Sequence, residues 1–307
     1  PARRRSHQAH APLRVAANQK SCRRREQIDK LIYSVFVSPF TIRRTMSDTL
    51  SLQLWLGMTA VVAGAINSVA GGGTLLTFSA LLAAFAPLGV DAGVIANATS
   101  TVALVPGSLA GAWGYRREMR AARSWTLLLL VPSLLGGLAG SLLLTRLEAK
   151  YFQLLVPWLI LTAALLFMAQ PAVARLIQAK PHAAPSRNIV AAVVFFQLFI
   201  AVYGGYFGAG IGILMLSALA LMGLPGVHQM NAVKTFLAFC INGVSVLIFV
   251  VEKKVQWCYV PVMALSAIVG GYLGARVARR LRPRLVRWFI VAVGLGLAGY
   301  YFFKQLA

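Results

Sequence analysis

The 307-residue sequence predicts an all-α polytopic membrane protein of two inverted repeats, each of about five helical segments, with short, glycine-broken second and seventh segments. Three observations predict this. The chain is 59% hydrophobic with a mean hydropathy of +0.73, whereas a soluble domain is about 45–50% apolar. That excess is gathered into long blocks almost free of charge, such as Trp125–Leu144 and Phe152–Gln170, and about 20 apolar residues cross a bilayer as a helix. Finally, two glycine clusters recur at corresponding places along the chain.

In order, the apolar segments are 51–70, 74–86, 91–114, 125–145, 151–170, 189–208, 211–224, 227–251, 256–278 and 285–303. The second and seventh, 13 and 14 residues long, fall short of the usual spanning length. Each directly follows a glycine cluster, "AGGGT" (Ala70–Thr74) or "GAGIG" (Gly208–Gly212), where the backbone is free to turn sharply.

Sliding the chain by 134 residues tests the repeat. It brings "NATST" (Asn97–Thr101) onto "NAVKT" (Asn231–Thr235), Glu118 onto Glu252, and "GGLAG" (Gly136–Gly140) onto "GGYLG" (Gly270–Gly274). Upstream, an offset of 139 sets Gly71 and Gly73 on Gly210 and Gly212. Two odd-numbered repeats in one chain enter the membrane in opposite orientations. The predicted organisation is therefore a first transmembrane repeat over 46–170, a cytoplasmic linker over 171–188 and a second repeat over 189–307.

Charge agrees with this topology. The formal charge of +23 lies mostly outside the apolar blocks. The gaps 115–124, 171–188 and 276–287 hold four, three and six Lys/Arg, while 145–150, 252–256 and Lys304 hold five together. Basic flanks of this kind set orientation, and they place both termini on the outer side of the membrane. A nucleic-acid partner is not expected. Residues 1–45 carry 11 Lys/Arg and no adequate apolar segment for a secretory signal. They read as translated sequence upstream of a start at Met46, or else as a disordered basic tail. Cys22, Cys240 and Cys258 have no metal or redox spacing. No cofactor is expected.

Non-helical backbone at membrane depth must line a cavity or be buried in protein. Paired short helices after glycine breaks in two halves point to a transporter binding site. Helices starting near Thr74 and Ile213 would present free N–H groups and positive dipole ends to an anion. Asn67 and Ser68 precede the first cluster, Gly71, Gly72 and Gly73. Thr74 and Thr77 follow it. The second cluster contributes Gly208, Gly210 and Gly212. Asn97, Thr99 and Ser100 lie early in the third segment, and Asn231, Lys234 and Thr235 early in the eighth. Lys234 is the one basic residue well inside an apolar segment. An intramembrane charge is a functional hypothesis by default, although at eight residues from Gly226 a snorkelling lysine reads equally well. "GGLAG" and "GGYLG" read instead as close helix-packing motifs. Asp91 reads as a helix N-cap, and His228 as an interfacial residue. GxSxG, HExxH and Walker signatures are missing, so an enzyme is not expected.

The stretches "AGAINSVAGGGTLLTFSALLA", "ANATSTVALVPGSLAGAWGYRRE", "GGYFGAGIGILMLSALALMG" and "NAVKTFLAFCINGVSVLIF" resemble the sulfite exporter TauE/SafE family over about 51–303. The resemblance implies a bacterial inner-membrane permease of the two-repeat type, associated with sulfite, sulfonates and related small anions. Its first-half motif falls on Asn67, Gly71–Gly73, Asn97, Thr99 and Ser100, and its second-half motif on Gly205, Gly208, Gly210, Asn231 and Lys234. The expected function is a secondary transporter for a small anion, coupled to a proton or sodium gradient and working by alternating access. An anion channel of the same fold and a non-transporting membrane subunit are the alternatives. Oligomeric state, direction and the particular anion are not legible.

Overall fold

A computed structural model of the chain describes residues 46–69, 73–179, 186–222, 224, 227–277 and 283–306. Every regular element among them is a helix. In the order of the chain these are α1 (Met46–Val69), α2 (Gly73–Ala84), a 3-10 turn (Ala86–Asp91), α3 (Ala92–Gly114), α4 (Arg116–Ala121), α5 (Arg123–Arg146) and α6 (Ala149–Ala179). The second half continues with α7 (Arg187–Tyr206), α8 (Ile211–Leu221), α9 (Val227–Val251), α10 (Val260–Val277) and α11 (Pro283–Leu306). Among the described residues, six helices are long and apolar enough to cross a membrane. Within hydrocarbon a helix satisfies every backbone donor from its own chain, which is why these blocks take this form.

The boundaries follow the apolar blocks closely, with three departures. The arginine-rich 115–124 gap forms the short helix α4. Helix α6 runs 31 residues, through Pro157 and Pro171, or about 46 Å at the usual rise. It outlasts a hydrocarbon core of about 30 Å because 172–179 is rich in Ala, Leu, Arg and Gln, good helix formers. Residues 256–259, expected to be helical, form a turn instead, its Gln256 N–H donating to Thr99 Oγ1 at 3.1 Å. Residues 1–45, positions 180–185 of the linker and Gly274 as a side-chain position lie outside what is described.

Helix α1 packs along α10, and α7 along α5. Small residues make both approaches close. A Cβ on Gly270 would collide with the Val61 carbonyl, and one on Gly64 with that of Ala267. Across the other pair, Gly140 faces the Val202 carbonyl and Gly205 that of Gly137. The glycines of "GGLAG" and Gly270 of "GGYLG" are thus helix-packing residues; Gly271 makes no such close approach. Helix α9 packs on α5 as α10 packs on α3, α3 and α9 meet each other, and α6 pairs with α11.

The α5–α7 seam also carries a buried polar contact, Gln197 Nε2 donating to Ser133 Oγ at 2.9 Å. Ser133 in turn donates to the Leu129 carbonyl at 2.6 Å, so its hydroxyl keeps a partner without Gln197. Interhelical bonds of this kind contribute about 0.6 kcal/mol on average in membranes. Gln197→Leu is expected to lower stability by about 1 kcal/mol or less, read as a small drop in the thermal midpoint of detergent-solubilised protein, with transport retained.

One end of the bundle is tied by polar contacts between connections. Arg146 pairs with Glu252 at 3.4 Å and Lys254 with Asp91 at 3.7 Å. Gln153 Nε2 donates to the Gly89 carbonyl at 3.2 Å, and Gln305 Nε2 to that of Gln153 at 2.8 Å. Asp91, read as an N-cap, here closes the 3-10 turn and offers its carboxylate to Lys254. The arginine-rich connection over 115–122 falls at the opposite end. His228 is exposed there, in the first turn of α9.

Candidate functional site

The second break is fully described. Helix α7 stops at Tyr206, and the N–H groups of Phe207 and Gly208 both donate to the Tyr203 carbonyl, at 2.9 and 3.2 Å. Gly208 and Gly210 have φ of +81°, a left-handed conformation open to glycine at little steric cost. The Tyr203 hydroxyl donates to the Ala209 carbonyl at 2.7 Å, so the exposed backbone of the break is met by protein rather than lipid. Helix α8 then starts at Ile211. At the first break, α2 starts at Gly73, whose missing side chain lets it sit against the Ala63 carbonyl of α1, folding α2 back along the helix before it.

The starts of both short helices meet one cavity of about 520 Å³. Thr74 of α2 and Ile211 and Gly212 of α8 form its inner end. Asn67 and Gly64 enter from α1. Helix α9 contributes Asn231, Lys234, Thr235, Ala238 and Asn242, a single face at three- and four-residue spacing. Helix α3 contributes Thr101, Leu104 and Ser108 in the same way. Tyr115, after α3, and Gly271 and Tyr272, on α10, continue the wall toward the end with the arginine-rich 115–122 connection.

Lys234 is the only basic residue among the described cavity-lining residues, and none of them is acidic. Its stem lies along the start of α8, where a Cβ on Gly212 would stand 3.3 Å from Lys234 Cδ. Glycine at that point lets the lysine pass. No carboxylate pairs with Lys234 among the described residues; the ion pairs there involve Arg146, Lys150 and Lys254. The Thr101 hydroxyl donates to the Asn97 carbonyl at 2.8 Å and Ser108 to that of Leu104 at 3.3 Å. These bonds occupy hydroxyl protons within α3. The amides of Asn67, Asn231 and Asn242 and the Lys234 ammonium are the cavity's clearest donors.

Seven residues singled out in the sequence therefore line one space: Asn67, Thr74, Gly208, Gly212, Asn231, Lys234 and Thr235. Others lie outside it. Gly73 is held against α1, and Gly210 lies against Leu166 and Ala163 of α6. Asn97 is buried, its Nδ2 donating to the Tyr206 carbonyl at 3.1 Å. Ser100 is hydrogen-bonded to Thr77 at 2.6 Å, and Thr99 accepts from Gln256. Around this layer Phe78 meets Phe207 at 5.1 Å and Phe152 meets Tyr206 at 5.5 Å between ring centroids. Asn97, Thr99 and Ser100 thus belong to a packed layer between the cavity and the polar-tied end. Gly71, Gly72 and the Ser68 side chain lie outside the described residues.

Thr101, Ser108 and Asn242 line the cavity without having been singled out. The 134-residue offset carries their signal, since it sets Thr101 on Thr235 and Ser108 on Asn242.

A multi-pass helical protein whose two broken helices start at one polar cavity belongs, as a class, with membrane transporters rather than enzymes. A family model described as "Sulfite exporter TauE/SafE" matches residues 56–301; the chain belongs to this family. It is similar to the "Probable membrane transporter protein YfcA" of Escherichia coli K12, 29% identical over 240 residues covering 76% of this chain and 83% of that one. A "Probable membrane transporter protein" of Haemophilus influenzae is 26% identical over 264 residues, 84% of this chain and 96% of the relative. The "Probable membrane transporter protein ORF9" of a Sinorhizobium species is 28% identical over 251 residues, 80% and 91%. No solved structure matches the chain significantly.

Proposed function

We propose that this membrane transporter is a secondary carrier for a small anion, sulfite, a sulfonate or a related organic acid, and that the cavity is its binding site. The observation that carries the reading is Lys234, a basic side chain without a carboxylate partner among the described residues, in a cavity where two helices begin. Helix starts supply unpaired N–H groups and positive dipole ends, and the family name adds sulfite as the first anion to try.

Alternating access between two inverted halves is the proposed mechanism. Exchange of packing partners supports it: α1 lies on α10 as α7 lies on α5, and α3 lies on α10 as α9 lies on α5. Those are the pairings that a pseudo-two-fold relation between α1, α2, α3, α5, α6 and α7 to α11 requires. In this state the cavity reaches toward Tyr115 and Tyr272, and the Phe78–Phe207 layer closes the other side. By the positive-inside bias, the open side is cytoplasmic and both described ends of the chain are external; likeness to bacterial membrane transporters supports the inner membrane as the bilayer.

The test is uptake of labelled sulfite, sulfonates and small carboxylates into proteoliposomes under imposed proton or sodium gradients. Accumulation above the external concentration, and counterflow with unlabelled anion inside, are the expected results. Flux that only equilibrates, with no counterflow, is the result of a channel and overturns the carrier mechanism.

A further inference from the structure

Resting on the anion reading above, we infer that the cavity selects monoanions whose remaining part carries no positive charge, and that it rejects zwitterions of the same size. The argument is an inventory of charge. Among the described lining residues Lys234 is the one ionic side chain. Carboxylates able to meet an ammonium group lie elsewhere. From Met46 on, the chain has five acidic residues, Asp48, Asp91, Glu118, Glu148 and Glu252. Asp91, Glu148 and Glu252 face basic partners at the polar-tied end. Asp48 is in the first turn of α1, about 28 Å along that helix from Asn67 at the usual rise. Glu118 is on α4, past Tyr115, and lines no part of the cavity.

An acid group bound at Lys234 and the adjoining helix starts leaves the rest of a small substrate among Asn67, Asn231, Thr235 and Asn242. Those amides and hydroxyls can satisfy a hydroxyl or a carbonyl on the substrate. An ammonium group there would give up its hydration without gaining a countercharge, and it would sit within a few ångström of a second cation. The cavity's 520 Å³ exceeds the need of a bare four-atom oxyanion, since one water occupies about 30 Å³ in the liquid. A substrate with an uncharged polar tail fits this space, and charge decides which tail is accepted.

Matched pairs of probes test it: 2-hydroxyethanesulfonate against 2-aminoethanesulfonate, and 3-hydroxypropanoate against 3-aminopropanoate, titrated calorimetrically into the full chain in detergent at neutral pH. The expected result is that the hydroxy acid of at least one pair binds, and that its amino partner binds at least tenfold more weakly. Equal affinity within a binding pair overturns the selectivity while leaving the anion site standing. Absence of binding by all four probes, by sulfite and by other small acids overturns the anion site and the selectivity together. The variant Asn242→Asp sets a carboxylate in the wall with almost no change of shape. It is expected to move the ratio toward the amino partner by about tenfold or more, and an unchanged ratio counts against the inference.

Discussion

Lys234→Met is expected to reduce anion uptake by roughly 10- to 150-fold while leaving the protein as stable as before or slightly more so. Hydrogen bonds to charged groups contribute about 1.5–3 kcal/mol, and each 1.4 kcal/mol is about tenfold in affinity. Stability moves the other way, because no ion pair is broken among the described residues and an unpaired charge in a low-dielectric setting is costly. Methionine keeps the unbranched stem that passes Gly212. Lys234→Arg tests geometry at constant charge. Its larger planar head must pass the same narrow place beside α8, so partial activity with a raised KM is expected. Uptake and thermal midpoints measured on one preparation check both halves. A fall in uptake accompanied by an equal loss of folded protein would make Lys234 structural.

Gly270→Val is expected to have the largest effect on folding. A side chain at Gly270 would drive into the Val61 carbonyl, and a backbone atom cannot rotate aside as a side chain can. Overpacking ordinarily costs about 1–3 kcal/mol. Here the whole of α1 must move off α10, and with it Gly64, Asn67 and the wall of the cavity. A loss of at least about 3 kcal/mol is expected, seen as aggregation on size exclusion in detergent. Gly243→Ala and Gly296→Ala are the matched controls, since a Cβ at either place meets nothing within 4 Å and alanine is the better helix former. Those two variants should elute as wild type. Equal damage from all three substitutions would refute the packing account.

Much of this architecture was legible in the chain because a bilayer imposes simple demands. Apolar length gave the spanning helices to within a few residues, and glycine clusters at matching offsets gave both breaks. Loops were less legible. Helix α4 and the extension of α6 follow from helix propensity outside the hydrocarbon, where apolar length says nothing. The site was legible by residue type more than by place. Asn97 has the same sequence neighbourhood as Asn231, and one turn along its helix Thr101 does line the cavity. The Tyr206 backbone, 109 residues away, takes the Asn97 amide, a contact that no local pattern announces. Ser100 stands at the offset position of Lys234 and is instead bonded to Thr77. The first-half motif ends at Ser100, whereas helical spacing from Thr101 through Leu104 to Ser108 traces the wall.

The proposed anion site is the cavity between the two broken helices. Its most direct test is a single cysteine at Thr235, in a background where Cys22, Cys240 and Cys258 are serine, reacted with a small water-soluble thiol reagent with and without the transported anion. Labelling is expected to slow several-fold as the anion saturates, with the same protection absent in the added Lys234→Met variant. Labelling at one rate whether or not the anion is present, in protein that still transports it, would place the anion's path elsewhere.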